Sequence, residues 1–267
     1  MKLSIITINY NNLEGLRKTI QSVLSQSFRD FEWIIVDGGS TDGSIDLLKQ
    51  YQSNFTWWCS EKDNGVYNAM NKGIKHARGE YINFMNSGDV FAGRDTLSTV
   101  FNKDRKADIL FGYMMCGSLN GVIGNGNIMK KNITKLDLFF DTFGHQSTYT
   151  RKSLFDKCGL FDESYTIAAD HKFFANAIMN HNATTEFIPY KLSIYEGNGI
   201  SGNYDVVYKD VLRLREEIYH DVLIEDQFNL LRELREIYSF KGTLHLYKFL
   251  VRICGWYRRI RYCKYKS

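Results

Sequence analysis

Three short apolar runs in the first ninety residues each stop abruptly on a polar cluster, and this repeat narrows the folds open to the chain. Leu3-Ser4-Ile5-Ile6-Thr7-Ile8 stops at Asn9-Tyr10-Asn11-Asn12. Phe31-Glu32-Trp33-Ile34-Ile35-Val36 stops at Asp37-Gly38-Gly39-Ser40-Thr41-Asp42. Tyr81-Ile82-Asn83-Phe84-Met85 stops at Asn86-Ser87-Gly88-Asp89. Runs of this kind suit strands buried on both faces of a parallel sheet. Between the first two, Leu13, Leu16, Ile20, Val23 and Leu24 recur at helical spacing. Asn11 is placed to cap that helix, with Glu14 three residues on as a capping box. Ser40 or Thr41 is placed to cap a second helix through Ile45, Leu48 and Tyr51. Residues 55–60 then read as a strand and 66–77 as a helix. Alternation of β and α predicts an α/β fold, with a parallel sheet and right-handed crossovers. Ligands of such sheets bind outside the carboxyl ends of the strands. Ends rich in Asp, Asn, Ser and Thr suit a sugar nucleotide and a metal ion.

The rest of the chain is less regular. Residues 108–115 and 121–129 look like strands joined across 117–121, and 145–150 like a short strand. Helices are expected over 152–158 and from Asp170 to about Asn180. One or two strands fill 184–195, interrupted by Pro189, and a charged helical pattern runs from Asp205 to Tyr238. A length of 267 residues allows one large core with an appendage. The expected division is a catalytic domain over 1–204 and a helical, basic, amphipathic extension over 205–267. The five cysteines form no CxxC pair, which argues against a disulfide framework or structural zinc and fits a reducing cytosol. The chain enters its first strand at once, so no signal peptide is expected. No apolar run reaches the length of a transmembrane helix.

Taken singly, the chemistry-bearing residues leave alternatives open. Asp37 at a strand end suits a ribose or base, but Asp before Gly38-Gly39 also suits a plain turn. A dinucleotide fold would need a GxGxxG turn after the first strand, and Asn9-Tyr10-Asn11-Asn12-Leu13 has no glycine. That argues against a nicotinamide cofactor. Asp89 could give a hard divalent cation its carboxylate, or close a turn. Asp170 could cap a helix or act as a general base, kept ionised by the helix dipole.

Taken together, ordered blocks make the chain similar to a known family. These are residues 4–11, 32–43, 63–73 and 79–89, followed by His145-Gln146-Ser147, Gly159-Leu160-Phe161-Asp162-Glu163 and Ala169-Asp170. Over about residues 1–200 the chain resembles the family 2 glycosyltransferases of the GT-A fold, the bacterial surface-polysaccharide type. The resemblance implies a mostly parallel central sheet flanked by helices, with a C-terminal helical extension. It also implies roles. Thr7 and Asn9 line the nucleotide, Asp37 bonds the base, and Asp63, Asn68 and Lys72 form the wall beneath nucleotide and diphosphate. Asn86 belongs to the donor site, Asp89 is the last carboxylate of the metal motif, and Asp170 is the catalytic base. His145 and Gln146, and Glu196 and Asn198 of a glycine-rich loop, fall on the acceptor or diphosphate side. The chain departs from the family where a DSDD-like metal motif reads Asn86-Ser87-Gly88-Asp89. Mg²⁺ or Mn²⁺ would then be held by Asp89, the donor diphosphate and waters.

The expected activity is inverting transfer of a sugar from a nucleotide-diphosphate donor to a hydroxyl of a lipid-linked saccharide. A catalytically silent sugar-nucleotide-binding or scaffold protein, and a nucleotidyltransferase, are the alternatives. Residues 241–267 carry eight basic residues and no acidic one, interleaved with Leu, Phe, Trp and Tyr. Such a segment suits an anionic membrane surface. A packed extension with a solvated basic side is the alternative, and no nucleic-acid partner is expected. The expected location is cytoplasmic, peripheral at the inner face of the cell membrane.

Overall fold

Strand β1 (Leu3–Asn9) is the spine of the molecule, and all seven of its residues are buried. It pairs in parallel with β2 (Phe31–Asp37) on one side and β4 (Tyr81–Phe84) on the other, and β3 (Trp57–Ser60) continues the parallel set beyond β2. Asn9 therefore lies directly beside Asp37. Helix α1 (Leu13–Leu24) lays Leu16, Ile20 and Val23 into a core with Leu3, Ile5, Trp33 and Ile35. Helix α3 (Val66–His76) packs close to β1, because Gly73 has no side chain: a Cβ there would stand 2.4 Å from Ile6 Cγ2. Continuous apolar strands follow from cover on both faces.

The computed structural model describes residues 1–118, 121–125, 133–195 and 204–219, all within one compact unit, Met1–Tyr219. The expected roles of Glu196 and Asn198, the strand expected beyond Asn125 and the basic segment 241–267 lie outside the described residues. Beyond β4 the sheet is mixed. Strand β8 (Thr148–Arg151) is antiparallel to both β4 and β6 (Ile109–Ser118). Strand β9 (Thr185–Tyr195) runs parallel to β6, while β7 (Gly121–Asn125) and the two-residue β5 (Val90–Phe91) pair antiparallel with β6 and β9. The order is β3-β2-β1-β4-β8-β6-β9-β5, with β7 on β6. Helices α2 (Ser44–Tyr51), α4 (Thr96–Val100), α5 (Lys135–Phe140), α6 (Lys152–Cys158), α7 (Ala169–Met179) and α8 (Tyr204–Ile218) complete the fold.

Several local expectations are corrected, each for a physical reason. Asn12, not Asn11, caps α1, its Oδ1 accepting from Gly15 N–H at 3.1 Å. Asn11 instead takes a left-handed φ of 47° and spans to the next loop, where its Oδ1 accepts from Thr41 N–H. Helix α2 starts after Gly43, at a φ of 96°, so neither Ser40 nor Thr41 caps it. Pro189 does not divide the last strand. Ile188 faces Gly112 while Lys191 faces Tyr113, so Pro189 and Tyr190 bulge out where no ladder N–H is needed. His145–Ser147 is a single 3₁₀ turn ahead of β8, not part of the strand. Ala168 holds the cap position of α7, so Asp170 is the second residue of that helix.

Candidate active site

The carboxyl ends of β1 and β2 form a polar knot around Asp37. Its Oδ1 accepts from Asn9 Nδ2 at 2.7 Å and Ser40 Oγ at 2.6 Å. Its Oδ2 accepts from Ser60 Oγ at 2.6 Å and from the N–H groups of Ser40 and Gly39 at 2.9 and 3.1 Å. Burial works against the charge, but the Ser40 and Ser60 hydroxyls, the Ser40 N–H and the Asn9 amide hold this carboxyl below the usual carboxylate range. Asp37 is 0 % exposed and Asn9 is 3 % exposed. Asp37 thus organises the loop over residues 38–42 from beneath and does not present an oxygen at the surface. Thr7 is also fully buried, its hydroxyl donating to Met85 O at 2.7 Å and accepting from Trp33 Nε1 at 3.0 Å. Thr7, expected at the nucleotide, here braces β1 against β2 and the residue that follows β4.

Two other side chains do face outward there. Gly38 has no Cβ, and the place where one would stand is 2.6 Å from Asp63 Oδ2 and 3.2 Å from Tyr10 Cδ2. A carboxylate and a 66 % exposed ring thus meet over a bare stretch of backbone at the end of β2. Tyr10 was visible in the sequence only as one member of a polar cluster. Lys72 and Asn68 are turned elsewhere. Lys72 pairs with Glu61 at 2.7 Å, and Asn68 Nδ2 donates to Glu163 at 2.8 Å. Asn71 Nδ2 reaches the same Glu163 at 2.9 Å, so the start of α3 anchors the 159–163 block.

The turn after β4 carries Asn86 and Asp89. Buried Thr19 of α1 clamps it: its hydroxyl lies 2.8 Å from Asp89 O and accepts from Gly88 N–H at 3.0 Å. Asn12 Nδ2 donates to Ser87 O at 3.0 Å. Asn86 Nδ2 reaches His145 Nε2 at 3.0 Å, and His145 Nδ1 stands 3.2 Å from Asp170 Oδ2. Tyr67 of α3 donates to Asp170 Oδ1 at 3.0 Å and also to Ile167 O. Burial opposes the charge on Asp170, but the His145 bond and charge, the His171 N–H and the Tyr67 hydroxyl keep it below the usual range. Burial likewise opposes a charge on His145, and Asp170 and Asp89 outweigh it, pushing the imidazole up. Burial and the Asp170 charge push the Tyr67 phenol well up, so it stays a neutral donor. Gln146 is buried, and its carbonyl accepts from Asn83 Nδ2 at 3.1 Å.

Helix α8 sets the position of α7. Asp210 Oδ2 accepts from Thr166 N–H at 2.8 Å and Ile167 N–H at 2.7 Å, just ahead of the helix start. With those amides satisfied from α8, Asp170 keeps its carboxylate for Tyr67 and His145. Lys172 ties the same elements together through Asp162 at 2.8 Å and Glu217 at 2.6 Å. Sequence reasoning missed Asp210, because its partners lie more than forty residues away.

This sheet, with acidic and amide side chains gathered at the ends of β1, β2 and β4, is matched by a family model. The model described as Glycosyl transferase family 2 covers residues 4–166. The chain belongs to this family. It is 34 % identical over 181 residues to an uncharacterised glycosyltransferase of Mycobacterium tuberculosis H37Rv, spanning 66 % of this chain and 69 % of that one. It is 25 % identical over 267 residues to the poly(ribitol-phosphate) beta-N-acetylglucosaminyltransferase TarP of Staphylococcus aureus N315, spanning 86 % and 80 %. The crystal structure of S. aureus TarS 1–349 in complex with UDP-GlcNAc superposes with a TM-score of 0.67 at 22 % identity, covering 84 % of this chain and 67 % of that one. The fold is GT-A, and the protein is a glycosyltransferase.

Among the described residues, no three His, Cys, Asp or Glu side chains meet in a way that would hold a metal ion by themselves. The donor set fits a cation in another manner. Asp89 carries hard carboxylate oxygens on a clamped turn, the type of group that commonly holds Mg²⁺ together with waters and substrate phosphates.

Proposed function

We propose that this protein transfers a sugar, with inversion, from a nucleoside-diphosphate donor to a hydroxyl of a saccharide or polyol-phosphate acceptor carried on a lipid, in surface-polysaccharide synthesis. One observation carries the reading: Asp170, His145 and Asn86 form an unbroken hydrogen-bonded line that ends on the turn bearing Asp89. A buried carboxylate able to drive loss of a hydroxyl proton thereby lies beside the turn that the family uses at the diphosphate.

In this reading the nucleoside lies over Gly38. The Tyr10 ring stacks on the base, and Asp63 accepts an N–H from it. The Asp37 knot keeps that floor rigid. Asp89 would hold a divalent cation together with the diphosphate, and that cation supplies Lewis-acid stabilisation of the leaving charge. Asp170 supplies the negative charge that drives deprotonation of the acceptor. One displacement on the opposite face inverts the anomeric carbon, and no covalent enzyme intermediate is needed. TarP and TarS point to UDP-GlcNAc as the first donor to test and to polyol phosphate as the first acceptor. The basic segment 241–267 is proposed to bring the protein to the membrane carrying such acceptors. No helix among the described residues is long and apolar enough to cross a membrane.

The test is a thermal-shift screen of the full chain against UDP-, GDP- and CMP-sugars with and without Mn²⁺, followed by turnover of each binder. A rise in Tm with one donor, larger with Mn²⁺, and release of its nucleoside diphosphate are expected. Binding without turnover on any acceptor would favour the silent binding protein, and no binding at all would remove the reading.

A further inference from the structure

We propose that the acceptor proton is taken by His145 Nε2, with Asp170 holding the imidazole, so that the base of this protein is a His–Asp pair and not a lone carboxylate. The proposal deepens the transferase reading above and rests on it.

Asp170 is already engaged on both oxygens. Oδ1 accepts from Tyr67 Oη and from His171 N–H at 2.8 Å, and Oδ2 faces His145 Nδ1. Its side chain is 12 % exposed, against 21 % for His145. The imidazole is the more accessible of the two. An ionised carboxylate can only accept, so Nδ1 carries the proton in this pair, and the neutral ring then offers a lone pair at Nε2. That atom is aimed at Asn86, on the turn where the diphosphate is expected.

The ring is held as a positioned base must be. His145 opens the 3₁₀ turn His145–Ser147. The Asn83 amide braces this turn through the carbonyls of Gln146 and Thr148, at 3.1 and 2.9 Å. Phe84 packs edge-on against the ring, with centroids 6.5 Å apart. The protonated state is also provided for. Asn86 Oδ1 is buried and has no hydrogen-bond partner. Rotating this amide by half a turn brings its oxygen to Nε2, where it accepts the N–H that the ring has gained. The charged groups that act on the ring are Asp170 from α7, in contact with it, and Asp89 from the turn after β4, through its charge alone; both favour the proton, and burial opposes them. Tyr67, from α3, meets Asp170 as a neutral donor.

The step balances. The acceptor hydroxyl takes the place of the Asn86 amide on Nε2. Its O–H bond breaks and the proton passes to Nε2, while the oxygen forms the new bond to the anomeric carbon. The bond from that carbon to the diphosphate oxygen breaks, and its electron pair leaves on the diphosphate. A carboxylate that orients an imidazole and stabilises its charged form is an established arrangement for activating a hydroxyl.

Full-length wild type, His145→Gln and Asp170→Asn are compared between about pH 5 and 9, the range in which a His titrates. UDP-GlcNAc is the first donor, replaced by whichever donor the screen above selects. Transfer rate is one readout, and the ring ¹⁵N shifts of His145 are a second that needs no substrate. In wild type kcat/KM should rise along one limb whose midpoint coincides with the ring titration of the free protein. His145→Gln, which can still donate to Asp170, should lower kcat about 10²–10⁴-fold while donor KM changes less than about threefold. Asp170→Asn should move the ring titration and the rate midpoint to lower pH together. A His145→Gln protein with kcat within about threefold of wild type and an unchanged pH profile overturns the proposal. So does an Asp170→Asn protein whose ring titration moves while the rate profile does not. If His145→Gln fails to fold, judged by its melt with UDP, the wild-type and Asp170→Asn titrations decide alone. If wild type turns over no donor, the transferase reading fails. The ring titration then still tests the pairing, which is refuted if Asp170→Asn leaves it unmoved.

Discussion

Asp37→Ala is expected to act on stability before it acts on catalysis. The substitution leaves Asn9 Nδ2, the Ser40 and Ser60 hydroxyls and two loop N–H groups without their shared acceptor. A buried donor left unsatisfied costs about 1–3 kcal/mol, and partial rehydration of the loop brings the expected total loss to about 2–4 kcal/mol. The folded-state pKa of Asp37 lies below its ordinary value. Its stabilisation is therefore present above the unfolded pKa of about 3.9 and is lost as pH falls through the lower folded value. Urea melts at neutral pH should separate wild type from variant, and the gap should narrow as the buffer is taken into the acid range. A gap that stays constant with pH would mean that the carboxylate charge is not what holds the loop. Asp63 behaves oppositely. It is half-buried at the surface over Gly38, so Asp63→Ala should keep the wild-type melt while raising donor KM at nearly constant kcat, the mark of lost uniform binding. Gly38→Ala should raise KM as well, because the new methyl takes the place of Asp63 Oδ2. Unchanged donor KM in both variants would remove Asp63 from the nucleotide site.

At the scale of elements, α7 is only as well placed as α8 allows. Asp210 receives three of the amides that precede α7, and its loss resembles loss of an N-cap, about 1–2 kcal/mol. Asp210→Ala should therefore lower the melting temperature and also cut kcat, since Asp170 would be drawn toward the freed amides and away from His145. Adding back Asn at position 210 should restore part of both. A fall in Tm with kcat untouched would show that α8 stabilises the fold without aligning the base. The same elements show which features a sequence can reveal. The strand cores of β1, β2 and β4 and the apolar face of α1 were legible, because apolar periodicity is a local property of ten or so residues. Asp170 and the Asn86–Asp89 turn were expected to work together because each falls in a contiguous family motif, and His145 links them in the fold. The Asp37 knot was not: Asp37 was expected at the ligand, and what buries it is Asn9 and Ser60, each more than twenty residues away. The 3₁₀ turn at His145 read as strand for a related reason, since its bend is imposed by Asn83 from β4. Pro189 read as a break because the sequence does not show that β6 leaves room for a bulge.

At the scale of the whole molecule, the proposed function gives chemistry and membrane attachment to different stretches of chain. The described site lies within Met1–Tyr219, while the basic run 241–267 adds eight cations and no acid. Each Lys or Arg near an anionic surface contributes about 1 kcal/mol, fading beyond a Debye length, and apolar side chains such as Trp256 and Phe249 add a share that salt does not screen. Co-sedimentation with phosphatidylglycerol vesicles should therefore weaken with salt without vanishing. Replacing Arg258, Arg259 and Arg261 together by Glu should cost about 3 kcal/mol from the three lost cations alone, more than a hundredfold in binding, because repulsion adds to the loss. Transfer to a short soluble acceptor should be unchanged in that variant, and transfer to an acceptor embedded in vesicles should fall in proportion to binding. Sedimentation equal to wild type would eliminate the membrane assignment. A triple variant that also loses transfer to the soluble acceptor, or melts at lower temperature, would show instead that these arginines support the folded enzyme.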